Sequence, residues 1–386
     1  MWWYLVVVVT AGVVTAATTP LVARLARRLG AMDHPGGPRK IHRYATPTLG
    51  GVAMLVGFLA AILTASLLPE FDALFASTSE PIALVVGALV IVAIGIADDL
   101  VGLPPTVKLA GQIVAALVVA VFGIQLAYFW IPGIPGVDIL VLSTDLGLLL
   151  TVIALVAMIN AVNLIDGLDG LAAGVAAIAG GAFFLFAMRS GMVSEAIPSS
   201  APLVAAMVVG VAVGFLVHNW HPARIFMGDT GAMLLGLLLG AGGVSYVGRT
   251  PAPSDVDFYG AMPLLIPALI LAVPFLDTAY AVFRRIVRRA PISLADREHL
   301  HHRLLRMGHS HRRAVLVLYY WSAVAAFGSV APVFLTPLRV LPYAVGACLF
   351  GVLVTVVGIR RPEPAHGVAG AEAEQDPTES RPTGTA

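Results

Sequence analysis

Four polar stretches carry most of the residues in this chain that could do chemistry. The first reads Ala97-Asp98-Asp99-Leu100-Val101-Gly102-Leu103-Pro104-Pro105-Thr106-Val107-Lys108. Adjacent carboxylates repel each other in a low dielectric, so a cation is expected beside them. Mg²⁺ takes one or two carboxylates together with phosphate oxygens, and Lys108 is the rival partner in a plain helix-end ion pair. The second stretch runs from Asn160 to Gly174 and holds Asn160, Asn163, Asp166 and Asp169 at intervals of three. That spacing predicts a helical turn stacking them on one face, with amides and carboxylates able to read a nucleobase and ribose or to help hold a metal. Gly167, Gly170 and Gly174 would let backbone approach a ligand closely. The spacing is not that of an EF-hand calcium loop, whose terminal Glu is absent.

The third stretch, His218 to Gly231, contains Arg224 and Phe226-Met227-Gly228-Asp229 just before an apolar run. Asp229 reads either as a helix N-cap or as a carboxylate that a phosphate and a metal can approach between two glycines. Phe226 reads as core filler or as a base-stacking platform. The fourth is basic and histidine-rich: Arg284-Arg285, Arg288-Arg289, then Asp296 to Arg313 with His299, His301, His302, Arg303, His309 and His311. It suits a diphosphate or an anionic lipid head group; topology-setting charge and a zinc site begun by His299 and His302 are the alternatives.

The elements that must position these stretches are membrane helices. The 386 residues are 59% hydrophobic and 12% charged, with a mean hydropathy of +0.91, which excludes an ordinary soluble globule. Eleven apolar stretches stand near residues 4–22, 49–68, 82–97, 107–126, 146–160, 170–187, 201–217, 231–248, 260–280, 314–335 and 339–359. Most are long enough to cross about 30 Å of hydrocarbon. The expected fold is therefore an all-α polytopic bundle of about eleven transmembrane helices, forming one domain over residues 1–361. A polar tail over 362–386 is expected to be disordered. Met1-Trp2-Trp3-Tyr4 offers no basic leader region, so the first stretch reads as a retained helix. The single cysteine, Cys348, rules out a disulfide framework.

Of 23 Lys and Arg, 20 fall in the loops 23–48, 98–108, 218–230 and 281–313 and after 359. The positive-inside rule places these in the cytoplasm, with the N-terminus outside and the C-terminus inside. All four chemical stretches then share the cytoplasmic face. A carboxylate placed in hydrocarbon is unfavourable by about 2.5–3.5 kcal/mol, so their clustering at helix ends calls for a metal or phosphate partner.

In these motifs, together with Lys40-Ile41-His42 and Thr46-Pro47-Thr48-Leu49-Gly50-Gly51, the chain resembles the polyprenyl-phosphate N-acetylhexosamine-1-phosphate transferase family across residues 33–313. The resemblance implies an integral membrane enzyme that uses Mg²⁺, with Mn²⁺ as a substitute, to load a sugar phosphate from a UDP-sugar onto a polyprenyl phosphate. The implied metal ligands are Asp229 and Asp99. Asp98, Asp99, Lys108 and His302 form the implied catalytic group. The implied substrate contacts are Asn160, Asn163, Asp166, Asp169, Phe226, Arg224, His299, His301, Arg303 and Lys40. Peptidoglycan-branch members often carry a lysine just before the Thr-Pro-Thr element, where this chain has Ala45. The run His299-Leu300-His301-His302-Arg303-Leu304 resembles the branch that uses UDP-N-acetylglucosamine rather than a muramyl pentapeptide donor. The implied partners are UDP-N-acetylglucosamine, the lipid phosphate and the bilayer, with no nucleic acid; related enzymes are often homodimers. The rival class is a secondary transporter of anionic nucleotides or sugar phosphates, which would place charge near the midplane, often in repeated halves. No second copy of the motifs is present in the sequence.

Overall fold

The computed structural model describes residues 1–35, 45–130, 139–191, 198–249 and 304–357. Its helices are α1 (Trp2–Leu29), α2 (Gly50–Ser66), α3 (Asp72–Ser77), α4 (Glu80–Val101), α5 (Pro105–Val121), α6 (Thr144–Ile165), α7 (Leu171–Gly191), α8 (Ala201–Asn219), α9 (Gly228–Arg249), α10 (His311–Phe334) and α11 (Pro337–Val356). Two short antiparallel pairs interrupt the helical pattern: β1 (Met32–Asp33) with β2 (Thr46–Pro47), and β3 (Tyr128–Trp130) with β4 (Ile139–Val141). The protein is an all-α polytopic membrane protein. Among the described residues, α1, α4, α6, α7, α8, α9, α10 and α11 are long and apolar enough to cross a bilayer. The 17-residue α2 is bent by 87° against the short helical segment that follows it, and α5 is also 17 residues. The apolar stretch 260–280 and the tail from 362 lie outside the described residues.

The helices start and stop where local chemistry demands. Pro81, Pro105 and Pro202 occupy first-turn positions, where a missing N–H removes no helical bond. Gly30 ends α1 and Gly102 ends α4, both with positive φ, 74° and 67°.

The spans differ in how much of each meets protein. In α9, 94% of the membrane-spanning window is buried, against 11% for α11. A helix apolar all round belongs at the centre of a bundle, and α9 sits there, against α2, α4, α6 and α8. Small residues permit the approach: a Cβ on Gly95 would lie 2.4 Å from the Thr230 Cα, and one on Gly51 2.2 Å from the Gly231 nitrogen. The start of α9 is thus clasped by α2 and α4. At its other end, buried Glu80 accepts from Arg249 Nε (2.8 Å), Ser245 Oγ (2.8 Å) and Ser200 N (2.8 Å). This satisfied ion pair ties α4, α8 and α9 together away from the chemical loops.

Candidate active site

The first three polar loops converge at the end of the bundle where α9 begins. Thr48 N donates to Ala31 O, Phe226 N to Pro47 O, and Gly50 and Gly51 donate to Phe226 O and Met227 O. The Thr-Pro-Thr-Leu-Gly-Gly element is therefore bound, backbone to backbone, to the segment leading into Asp229. Phe226 enters this ladder through its main chain.

Lys108, three residues into α5, is the hub. Its Nζ bonds Asp98 Oδ2 (3.1 Å) from the end of α4 and Asp229 Oδ2 from the first turn of α9. Asn163, in the last turn of α6, completes the knot: its amide nitrogen donates to Asp229 Oδ1 (2.8 Å) and its oxygen accepts from Lys108 Nζ (3.1 Å). Asp98 also accepts from Leu103 N at 2.7 Å, which holds its carboxylate over the α4–α5 turn. The side chains of Asp98, Lys108 and Asp229 are 12%, 19% and 27% exposed, so the knot is shielded but reachable. An ammonium held between two carboxylates, with only oxygen acceptors around it, is an environment for a hard cation. The donor set fits Mg²⁺.

Asp99 does something else. Its Oδ1 accepts from Asp229 N (2.9 Å) and its Oδ2 from Thr230 N (3.2 Å) and Thr230 Oγ1. Both oxygens are engaged in capping the N-terminus of α9, a role ordinarily filled from within the helix's own sequence. In this arrangement Asp99, expected from the sequence as a metal ligand, holds the backbone on which Asp229 stands. Gly228 permits it, with φ of 68° and a position where a Cβ would lie 2.3 Å from Asp99 Oδ2. Asp229 is correspondingly not an N-cap.

The expected helical stack of Asn160, Asn163, Asp166 and Asp169 is corrected. α6 stops at Ile165, and Asp166 has left the helix with ψ of 53°. Asn160, one turn before Asn163, is not part of the knot: it donates to Gln112 Oε1 (2.7 Å) and to Val156 O (2.8 Å). Asp166 keeps some exposure, yet protein surrounds its carboxyl. That burial first, then the carboxylates of Asp229, Asp99 and Asp169, push its pKa up to about 8. Asp169 turns to a different partner, accepting from His221 Nδ1 (2.7 Å) and Ala223 N (3.1 Å). The glycines of this loop serve packing as well: Gly170 donates to Asn219 Oδ1 and accepts from the Tyr319 hydroxyl, and a Cβ on Gly174 would strike the Tyr319 ring.

Arg224 is exposed and lines a cavity of about 480 Å³ with Arg24 and Arg27 of α1 and residues 45–47. Lys40, His299, His301, His302 and Arg303 lie outside the described residues. Sequence reasoning gave no role to Asn219, which bridges Gly170 N and Ile225 O (2.9 Å each) and so locks two site loops together. Nor did it single out Thr230 or Gln112. The available signal was a buried polar residue at the end of an otherwise apolar helix.

The glycosyl transferase family 4 model matches residues 81–247, from the start of α4 almost to the end of α9. The chain is 40% identical over 369 residues to the decaprenyl-phosphate N-acetylglucosaminephosphotransferase of Mycolicibacterium smegmatis, covering 92% of this chain and 88% of that protein. It is 36% identical over 304 residues to the "Probable undecaprenyl-phosphate N-acetylglucosaminyl 1-phosphate transferase" of Bacillus subtilis, covering 78% and 77%. Similarity extends to the phospho-N-acetylmuramoyl-pentapeptide-transferase of Desulforudis audaxviator, 34% identical over 345 residues and covering 83% and 96%. With near full-length likeness to such enzymes and its motifs gathered at one end of a helical bundle, the chain belongs to glycosyl transferase family 4, among the polyprenyl-phosphate N-acetylhexosamine-1-phosphate transferases.

Proposed function

We propose that the protein transfers N-acetylglucosamine 1-phosphate from UDP-N-acetylglucosamine to a polyprenyl phosphate, releasing UMP and leaving a polyprenyl diphosphate sugar. The observation that carries this reading is the knot of Lys108, Asp98, Asp229 and Asn163. Four helices deliver these residues to one end of a membrane bundle, where a lipid phosphate and an aqueous nucleotide can meet. The N-acetylglucosamine donor is supported by the names of the relatives that are 36–40% identical. The muramyl-pentapeptide donor is the second reading, supported by weaker relatives at 33–34%.

In the reaction a phosphate oxygen of the lipid bonds to the β-phosphorus of the UDP-sugar, while the bond from that phosphorus to the bridging oxygen breaks and UMP leaves. Both reactants are anions, so charge neutralisation is the main requirement. Asp98 and Asp229 would hold Mg²⁺, which when bound neutralises charge on the transferring phosphoryl group. Lys108 offers its ammonium to the phosphate oxygens, held at the correct place by Asn163. Asp99 keeps Asp229 at the head of α9. A phosphate monoester with a second pKa of about 6 is mostly dianionic at neutral pH, so Asp98 orients cations ahead of removing a proton. The arginine-lined cavity beside Thr46 and Arg224 suits the nucleotide diphosphate. The site faces the cytoplasm of a bacterial plasma membrane, since basic residues concentrate in the loops on that side.

Labelled UDP-N-acetylglucosamine and UDP-muramyl pentapeptide, each offered with decaprenyl phosphate and Mg²⁺ to the purified protein, test the reading. Labelled lipid from the first donor is expected. Equal or faster transfer from the second would place the protein in the peptidoglycan branch, and no lipid product from either would reject the transferase reading.

A further inference from the structure

Away from the carboxylate knot, three residues from three separate segments meet. Asp169 lies in the turn between α6 and α7, His221 in the loop between α8 and α9, and His311 is the first residue of α10. A carboxylate oxygen and one nitrogen from each imidazole lie within 4.8 Å of one another. His221 Nδ1 is 2.7 Å from Asp169 Oδ2, and the two imidazoles stack with centroids 4.0 Å apart and planes 15° from parallel. His311 Nε2 is buried with no hydrogen-bond partner. A buried imidazole nitrogen without a hydrogen-bond partner, set beside a carboxylate and a second imidazole, calls for an explanation.

We propose that Asp169, His221 and His311 form a binding site for a transition metal of the zinc class. Two imidazoles and one carboxylate are a nitrogen-rich, borderline-soft donor set, unlike the oxygen donors of the knot, and the two sites therefore select different metals. Bonds of about 2.0–2.2 Å to such an ion require ligand atoms somewhat more than 3 Å apart. The 2.7 Å pair would open by a few tenths of an ångström, and the two stacked rings would turn so that each nitrogen lone pair points at the ion, a movement open to the 37% exposed His221. Ala223 N donates to Asp169 and Arg312 donates to the His221 carbonyl at 3.0 Å, so carboxylate and loop are already oriented from the main chain. The Arg312 guanidinium that faces the site is thereby occupied with a backbone oxygen. Nothing in this arrangement needs local structure alone, because the three residues are 52 and 90 positions apart in the sequence.

A bound ion would pin the head of α10 to the turn carrying Asp166 and to the loop that leads into Asp229. α10 already leans there, through Tyr319 on Gly170. The site is a clamp on the nucleotide side of the active centre, independent of which sugar donor the enzyme accepts.

The test uses the full-length protein in detergent, purified without a polyhistidine tag, stripped with chelator and titrated with Zn²⁺ and with Co²⁺. Wild type is expected to retain one Zn²⁺ per chain and to give the visible absorption of tetrahedral Co²⁺. His221→Asn and His311→Asn should each weaken binding at least about 100-fold, and Zn²⁺ should raise the unfolding temperature of wild type but not of these variants. Lys108→Met should bind Zn²⁺ normally. Absence of tight Zn²⁺ binding by wild type would overturn the proposal. So would undiminished binding by folded, monodisperse His221→Asn and His311→Asn, with loss instead on substituting His299 and His302.

Discussion

Replacing Asp99 by Asn separates the two roles a carboxylate could have at this site. In the structure Asp99 takes three hydrogen bonds from Asp229 N, Thr230 N and Thr230 Oγ1. A side-chain cap contributes about 0.5–2 kcal/mol, and a negative charge at a helix N-terminus adds about 0.3–1 kcal/mol. In Asp99→Asn one oxygen becomes an NH₂ pointed at donors, which leaves a buried amide unmet and costs about 1–3 kcal/mol. A total near 2–6 kcal/mol corresponds, at about 2.1 cal/mol/K of unfolding entropy per residue over 386 residues, to an apparent melting temperature lower by about 2–7 °C. Because the same cap sets Asp229, whose misplacement by about 1 Å can slow the reaction on the order of 100-fold, turnover should fall as well. Asp229→Asn should lose turnover to a similar extent with little change in melting temperature, since it leaves the cap in place. The two variants are compared by thermal unfolding in detergent and by labelled-lipid formation across a Mg²⁺ titration. If Asp99→Asn keeps the wild-type melting temperature and regains turnover at high Mg²⁺, then Asp99 is a metal ligand and the positioning argument is wrong.

Lys108→Met should lower kcat by at least about 100-fold, and Lys108→Arg should restore little, because a planar guanidinium cannot place its donors on Asp98, Asp229 and Asn163 as a point ammonium does; wild-type turnover in Lys108→Arg would contradict this. Gly51→Ala should give little folded protein, since its Cβ would lie 2.2 Å from the Gly231 backbone nitrogen and overpacking of this kind costs about 1–3 kcal/mol or more; a normal yield of monodisperse Gly51→Ala would show that α2 can retreat from α9. The pH dependence follows from Asp166, whose pKa is pushed up from 3.8 to about 8 by burial and neighbouring carboxylates. Between those values the folded protein holds a proton that the unfolded chain has released, so in chelator the melting temperature should fall as pH rises through this range. Asp166→Asn should flatten that slope, and an equal slope in the variant would assign it to another group.

Much of the bundle was legible in the residues alone. Ten described helices coincide with ten of the apolar stretches, because hydropathy over about twenty residues is a local quantity. The first three chemical loops were legible for the converse reason: carboxylates and amides are conspicuous against so apolar a background; most of the fourth, basic stretch lies outside the described residues. Their division of labour was not. Asp98 and Asp99 are neighbours in sequence, and only the packing of α4 against α9 sends one to Lys108 and the other to the α9 amides. The interval of three from Asn160 to Asp169 promised one helical face, but α6 ends at Ile165, and the stripe is dispersed among Gln112, Asp229 and His221. The meeting of Asp169, His221 and His311 likewise belongs to the tertiary structure, since it depends on how α10 lies across α7 and not on any spacing along the chain. Residue types and hydropathy determined that this is a membrane bundle with an acidic, phosphate-directed end. Which carboxylate faces a cation, which holds a helix and which pairs with histidine was decided by the close approach of helices from distant parts of the sequence.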